Sequence, residues 1–330
     1  MNLAKIAKMA GVSVSTVSKA FSDSKEISAE TKAEIFEIAR NTGCFEKYYK
    51  PKYSKKLIAV ICPELQGVHY SQMVTHIEKT VTERGDTILI SYSNFSGATQ
   101  KELIDYFAKF ACVDGIVVIE PVEKIEIASE IPIVQIGLTE GAANVHKIDV
   151  DINDAFDKSI KLLKSYGHSK IGFVGEKFTK AEYGVFEKYM KKNLLEIEPG
   201  YVSVNDKRFF ECGYSGMEEI LKKGNVPTAV YAAYSHVAEG IIKCLEDKKI
   251  KMPEEMSVIC MDDINCVPYR KTDLSCIKMH IEELCSEAIR LLYRSFEPRY
   301  GNAKLTVTVK REFHHGKTIF DRRGKEDAEI

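Results

Sequence analysis

From Leu57 onward, short runs of β-branched and aliphatic residues alternate with longer stretches whose apolar residues recur at helical spacing. The short runs predict strands at residues 57–62, 87–91, 115–119, 132–136, 170–175, 229–233 and 256–261. The longer stretches predict helices at about residues 71–84, 99–110, 153–166, 209–222, 237–247 and 281–295. Such alternation is typical of parallel sheets covered by helices on both faces. About 270 residues exceed one ordinary sheet, so we expect two lobes, each with a site at the carboxyl ends of its strands.

The first 44 residues follow a different pattern, which predicts three short amphipathic helices. The first has an apolar face (Leu3, Ile6, Ala7 and Ala10) and ends before Gly11. Ser13 is a good N-cap for the second helix, and Ser28 is a good N-cap for the third. The second helix leaves small polar groups and one cation on its outer face (Val14, Ser15, Ser18, Lys19 and Ser22). Three helices with a glycine turn between the first two predict a helix-turn-helix headpiece whose second helix suits the edges of base pairs.

Charge is distributed unevenly between this segment and the rest of the chain. Residues 1–56 hold 10 Lys and 1 Arg against 5 Glu and 1 Asp, a formal net charge of +5, whereas the whole chain carries −1. A small basic module on a mildly acidic body indicates a polyanion as the partner of the module and a different task for the body.

Residues 6–19 (IAKMAGVSVSTVSK), followed by residues 27–31 (ISAET), closely resemble the headpiece of the lactose/galactose repressor family of bacterial transcription regulators. The resemblance continues through residues 114–117, 131–134, 166–173, 227–230 and 256–264, and so covers nearly the whole chain. It implies an α/β fold with an N-terminal three-helix headpiece. The body it implies is two-lobed, like periplasmic sugar-binding proteins, with three crossovers and a ligand cleft between the lobes.

The resemblance also implies domain boundaries. The headpiece would span residues 1–44, a shortened basic linker residues 45–56, and the effector-binding and dimerisation body residues 57–330. Within the body we expect an N-subdomain at about 57–150 and 278–306, and a C-subdomain at about 151–277 and 307–320.

Matched to the family's motif, the headpiece residues divide into two groups. Val14, Ser15 and Lys19 match the positions that enter the major groove, and Lys19 stands where the family usually has Arg. The phosphate-contacting positions match Ser13, Thr16, Ser18, Ser28 and Thr31. The resemblance therefore implies double-stranded operator DNA as the partner. One short helix contacts few base pairs, so specific binding favours a homodimer on a palindromic operator.

The linker departs from the family, because its proline comes late and the leucine that wedges into the minor groove is absent. One interpretation is a basic tether held near phosphates by its lysines, Lys47, Lys50, Lys52, Lys55 and Lys56. A second is that Tyr48, Tyr49 or Tyr53 fills the wedge role.

The expected ligand cleft departs further, since the arginine and the Asn-Asp pair that hold neutral sugars in the family are missing. The candidate effector-binding residues are His69, Tyr70, Tyr92, Phe178, Arg208, Tyr234, Ser235, Asp262 and Asp263. Three hypotheses follow: an anionic or aromatic effector, no small effector, or aromatics that simply fill a closed cleft. We do not expect an ordinary neutral sugar. Nor do we expect a cofactor or a metal, because the Asp262-Asp263 pair alone supplies too few ligands.

Two other classes of protein fit less well. An α/β enzyme is disfavoured because no nucleotide-binding glycine motif, nucleophile elbow or zinc-binding His-Glu-x-x-His motif occurs. A free solute-binding protein would have a signal peptide and no use for a basic headpiece. The odd number of cysteines, nine, without a C-x-x-C pair favours reduced thiols. We therefore expect a cytoplasmic, non-enzymatic DNA-binding regulator, usually a repressor in this family, with no membrane partner.

Overall fold

The protein is described by a computed structural model, in which residues 2–22, 24–45, 48, 55–109, 113–125, 131–140, 145–262, 273–297 and 304–323 are placed. The chain divides into two compact units. The first comprises residues 1–148 and 284–307, and the second comprises residues 149–283 and 308–330, so the chain passes between the units three times.

The elements alternate as the α/β pattern predicts. The helices are α1 Leu3–Met9, α2 Val14–Phe21, α3 Ala29–Asn41, α4 Val68–Thr82, α5 Gly97–Lys109, α6 Asn153–Ser165, α7 Lys180–Lys192, α8 Phe209–Lys222, α9 Ser235–Asp247 and α10 Ile281–Arg294. The strands are β1 Leu57–Cys62, β2 Thr87–Tyr92, β3 Gly115–Ile119, β4 Ile133–Ile136, β5 His146–Asp151, β6 Ile171–Glu176, β7 Val202–Asn205, β8 Ala229–Ala232, β9 Ser257–Cys260, β10 Ser275–Lys278, β11 Thr306–Lys310 and β12 Glu312–His314.

Helices α1 to α3 pack around their own apolar core. Ile6, Val17, Ala20 and Ile35 are fully buried in it. The core continues past α3, because Phe45 is buried and the Tyr48 ring lies 5.6 Å from the Phe21 ring. Gly11 lies just after α1 with φ of +66°, a left-handed conformation in which glycine avoids a side-chain clash. The first three helices therefore form the headpiece that the sequence predicts.

Two six-stranded sheets form the rest, in the orders β11-β5-β4-β3-β1-β2 and β12-β10-β9-β8-β6-β7. Neighbours β1–β2, β1–β3, β3–β4 and β4–β5 are parallel, as are β6–β7, β6–β8, β8–β9 and β9–β10, while β12 runs antiparallel to β10. In β6, Phe173 packs with the α6 and α7 side, whereas Val174 packs with the α8 and α9 side. This alternation buries both faces of the second sheet. The predicted fold class is confirmed.

Helices α8 and α9 approach each other unusually closely at two glycines. A Cβ atom added to Gly213 would lie 2.0 Å from the Val237 carbonyl oxygen, and one added to Gly240 would lie 2.1 Å from the Phe210 carbonyl oxygen. Only glycine permits this backbone contact. It fixes the starts of the two helices, Arg208 and Tyr234, which carry candidate site residues.

Some elements were not predicted. Helix α7 was missed because its apolar residues are interrupted by Gly184 and flanked by lysines. Strands β7, β10 and β12 were missed because they are only three or four residues long and carry polar residues. Strands β5 and β11 were missed although their residues alternate with the period of two that is typical of a strand. Strands 57–62 and 115–119 and helix 209–222 match the predicted bounds.

Candidate functional site

Side-chain caps fix the starts of α2 and α3. The Ser13 Oγ accepts a hydrogen bond from the Thr16 amide at 3.0 Å, and the Ser28 Oγ accepts one from the Thr31 amide at 3.2 Å. The two hydroxyls within each pair also lie 2.8 and 3.0 Å apart. Ser13 and Ser28 remain exposed. A capped, exposed helix start presents hydroxyl and amide donors together with the positive end of the helix dipole, which suits a phosphate.

The outer face of α2 is open to solvent. Its inner residues Val17, Ala20 and Phe21 are buried, whereas Val14 is 46% exposed. Ser15, Ser18 and Lys19 are exposed as well. The structure therefore brings the predicted base-reading and phosphate-contacting residues of α2 together on one accessible surface.

Lys19 is ion-paired to Glu26 in the turn between α2 and α3. The neighbouring Lys19 ammonium lowers the pKa of the Glu26 carboxyl, first through the hydrogen bond and then through its charge. Sequence reasoning missed Glu26. In the sequence it is one of six acidic residues in the basic segment 1–56, and nothing in its local pattern sets it apart.

The linker predictions cannot be placed, since Lys50, Lys52, Tyr49 and Tyr53 lie outside the described residues. Tyr48 is described, and its ring packs with the headpiece core. Because the Tyr48 side chain packs in this core, the structure does not favour the interpretation that Tyr48 wedges into the minor groove.

In the first unit, the candidate effector residues lie at the carboxyl ends of strands. His69 and Tyr70 are in the first turn of α4, and their rings are 5.0 Å apart in an edge-to-face contact. The Tyr70 ring lies 6.1 Å from that of Phe95. Tyr92 ends β2 and is 45% exposed.

In the second unit, Arg208 and Tyr234 come together around an unpredicted residue, Glu176, and the Phe178 ring lies beside Arg208. Glu176 ends β6, and its side chain is only 4% exposed. The Arg208 Nε lies 2.5 Å from the Glu176 Oε2. The Tyr234 hydroxyl donates to the Glu176 Oε1 at 2.9 Å. The only sequence signal of Glu176 was its position as a charged residue at the end of an apolar run.

Aromatic rings and backbone strain surround this ion pair. The Arg208 Cζ lies 5.1 Å from the Phe178 ring centroid and 4.6 Å from that of Phe209. The Phe209 φ is +54°, a strained value for a bulky residue, and its amide donates to the Tyr234 hydroxyl at 3.1 Å. Burial and the Glu176 charge raise the pKa of Tyr234, so its hydroxyl stays protonated. We call Glu176, Phe178, Arg208, Phe209 and Tyr234 the Glu176 cluster.

Further charges border the cluster. Asp262, which follows β9, is 8% exposed, and the Arg311 Nη1 donates to the Met261 carbonyl oxygen at 2.9 Å. Burial raises the pKa of Glu182; the charges of Asp262 and Glu176 add to this rise, while Arg311 opposes it. Ser235 is buried at the first position of α9, and Asp263 lies outside the described residues.

Among the residues with described positions, no group of three or more His, Cys, Asp or Glu side chains is arranged to hold a metal ion. Within the same part of the chain, no helix combines the length and the apolar character needed to cross a bilayer.

Comparison with known proteins matches both parts of the chain to families. Residues 2–44 match the family model "Bacterial regulatory proteins, lacI family", and residues 160–314 match the model "Periplasmic binding protein-like domain". The HTH-type transcriptional regulator AscG of Escherichia coli (strain K12) is 25% identical over 315 residues, covering 88% of this chain and 90% of AscG. The HTH-type transcriptional repressor PurR of Histophilus somni (strain 2336) is 25% identical over 309 residues, with 88% and 90% coverage.

The fold also resembles that of a lac repressor dimer bound to operator and the anti-inducer ONPF. The TM-score is 0.68 at 18% sequence identity, and the alignment covers 97% of this chain and 99% of the repressor chain. At this identity the likeness concerns the fold alone.

Proposed function

The chain belongs to the lacI family of bacterial regulatory proteins and is a DNA-binding transcription regulator, and from this premise we propose that α2 reads a palindromic operator in the major groove. The observation that carries the proposal is the exposed outer face of α2, with a capped start and Lys19 near its end. An α-helix of this kind fits the width of the major groove.

We propose distinct roles for the exposed headpiece residues. Val14, Ser15 and Lys19 contact base edges, because they lie on the face of α2 that points away from its core. The hydroxyl-bearing residues bind backbone phosphates, and the linker lysines add charge (Ser13, Thr16, Ser18, Ser28, Thr31, Lys50 and Lys52).

We propose that the protein acts as a homodimer and represses transcription. One α2 helix covers only part of a useful recognition site, so two headpieces on two half-sites are needed for specificity. Repression is carried over from the name of the PurR relative. We also propose that it works in the bacterial cytoplasm, where its DNA partner lies, and that it acts as a regulator without enzymatic activity, in line with the names of its relatives.

We further propose that a small molecule bound at the Glu176 cluster regulates DNA binding. The cluster lies at the carboxyl ends of parallel strands, where α/β sheets bind ligands. A neutral sugar is not the expected ligand. An anion is disfavoured as well, since the Arg208 charge is already matched by buried Glu176.

One alternative is supported by the same observation. The Arg208–Glu176 ion pair occupies the cluster with the protein's own groups, which favours a regulator that needs no effector.

The test is selection of bound duplexes from random DNA by the full-length protein. We expect a palindromic consensus, whose affinity falls steeply with salt because lysine contacts to phosphate release counterions. A sequence-independent pool, or an affinity insensitive to salt, would refute the proposal. A melting curve of each sample verifies that the protein is folded.

A further inference from the structure

The two partners of the Arg208–Glu176 ion pair differ in how firmly they are held. The Glu176 side chain is 4% exposed, and its carboxylate also accepts a hydrogen bond from Tyr234. Its backbone is fixed by Thr179, whose hydroxyl accepts from the Glu176 amide at 3.0 Å. The Arg208 side chain is 28% exposed and reaches the pair from the start of α8. Arg208 can therefore leave for solvent, whereas Glu176 cannot.

This asymmetry decides which charge a ligand must carry. An anion that bound Arg208 would leave Glu176 as a buried carboxylate without its cation, which is strongly unfavourable. A cation that bound Glu176 would displace Arg208 into water, where a guanidinium is well solvated. Replacing the cation is therefore the exchange that leaves no charge buried alone.

The surroundings also suit an organic cation. The rings of Phe178 and Phe209 both lie within cation–π distance of the Arg208 guanidinium carbon. Asp262 adds a second carboxylate near the cluster, whereas burial raises the pKa of Glu182 and so disfavours its charged form. Arg311 and Lys177, whose Nζ lies 5.1 Å from the centroid of the Phe178 ring, are the nearby cations that a ligand would meet. Aromatic faces combined with a buried carboxylate bind guanidinium and alkylammonium groups, and they stabilise a neutral polyol only weakly.

We propose that the effector is a small organic cation, with a guanidinium or alkylammonium head, that takes the place of the Arg208 guanidinium against Glu176 and the rings of Phe178 and Phe209. Arg208 is then an internal competitor that occupies the site until the effector displaces it. The inference rests on the proposed regulation at the Glu176 cluster and names the ligand class for it.

The experiment removes the internal competitor from the full-length protein. Arg208→Ser is chosen because Arg208 is the N-cap of α8 and makes no side-chain cap, a position that serine favours. Binding of methylguanidinium is measured by calorimetry and by the shift in melting temperature, at constant ionic strength. We expect Arg208→Ser to bind it at least about tenfold more tightly than the unmodified chain, because competition lowers apparent affinity.

Matched variants separate the contributions. Arg208→Lys keeps a cation beside Glu176, so it should gain much less than Arg208→Ser. Adding Glu176→Gln to Arg208→Ser should abolish the gain. Adding Phe178→Leu instead, at a residue that is 38% exposed, should weaken methylguanidinium binding by about three- to tenfold through loss of one ring. Urea, a neutral molecule of similar shape, and acetate serve as control ligands.

The inference is overturned if Arg208→Ser binds methylguanidinium no better than the unmodified chain, or if urea or acetate gains equally. If Arg208→Ser does not fold, Phe178→Leu in the unmodified chain provides the test, and unchanged methylguanidinium affinity there overturns it. Operator selection with the same proteins tests the regulator separately. Absence of selective DNA binding by the unmodified chain would refute the proposed function, whereas the calorimetry tests cation binding independently of DNA.

Discussion

Lys19 of α2 is ion-paired to Glu26, a residue of the following turn, so the only basic side chain of the recognition helix is already engaged by an acid of the same headpiece. Both side chains are exposed, and such pairs are weak in water. DNA and Glu26 therefore compete for the same ammonium group.

Removing the competing acid should strengthen DNA binding. For Glu26→Gln we expect an increase in affinity of roughly two- to tenfold, on both the selected operator and scrambled duplex, because one negative charge leaves a surface that faces phosphates. Titration of labelled duplex measures it. Glu34→Gln, an exposed acid on α3, is the charge-matched control. Weaker binding by Glu26→Gln would mean that Glu26 positions Lys19 for its contact.

Lys19 itself should read a base. Lys19→Ala should cost about 1–3 kcal/mol of binding free energy on the selected operator and much less on scrambled DNA. Lys101→Ala on α5 makes the same charge change outside the headpiece and should leave both affinities unchanged. Equal losses on the two duplexes would show that Lys19 contacts phosphate only.

The cap of α2 should matter for stability. Ser13→Ala removes the acceptor of the Thr16 amide and should destabilise the helix by about 1 kcal/mol. Faster hydrogen exchange of the α2 amides would report it. Ser15→Ala, a change on the exposed face that touches no cap, should leave exchange unchanged. Identical exchange in the two variants would contradict a stabilising cap at Ser13.

Two glycine substitutions should change stability in opposite directions. Gly240→Ala forces a Cβ against the Phe210 carbonyl oxygen and should cost at least about 2 kcal/mol. Gly184→Ala in α7 meets no atom within 4 Å and should stabilise by about 0.5–1 kcal/mol. Calorimetric melting compares them. If Gly240→Ala leaves the stability unchanged, α8 and α9 can move apart without a loss of stability.

His146 should make the first unit sensitive to acid. Burial, aided by the charges of Lys304 and Arg294, lowers the pKa of His146 to about 4. Its Nδ1 accepts from the Leu305 amide at 3.1 Å, and its Nε2 lies 2.7 Å from the Ser295 Oγ, so a second proton has no acceptor at Nδ1.

The folded pKa lies below the unfolded value of about 6.5, so His146 favours folding above that pH and loses this contribution as pH falls from 6.5 towards 4. With allowance for solvent screening, the loss between pH 7 and pH 5 should be on the order of 1 kcal/mol. His146→Asn should reduce the pH dependence of the melting temperature between pH 7 and pH 5. His280→Asn, at an exposed histidine, should leave that pH dependence unchanged. If the melting temperature changes with pH equally in both variants, His146 is not the source of the pH dependence.

The headpiece and the two sheets could be predicted from sequence because caps, glycine turns and runs such as 57–62 act over a few residues. The Glu176 cluster could be predicted only in part. Phe178, Arg208 and Tyr234 were predicted individually, but Glu176, the partner of Arg208 and Tyr234, was not, because tertiary packing brings the end of β6 to these two residues. Glu26 was missed for a similar reason, since a turn brings it back to Lys19.

The rings of Phe45 and Tyr48 complete the apolar core beneath α2 and α3. Exchanging DNA-reading modules between related regulators therefore requires a junction beyond Tyr48. A chimera joined after residue 44 would lack the two aromatic neighbours of Phe21. It would have the correct base-reading residues on a headpiece whose core is less well packed.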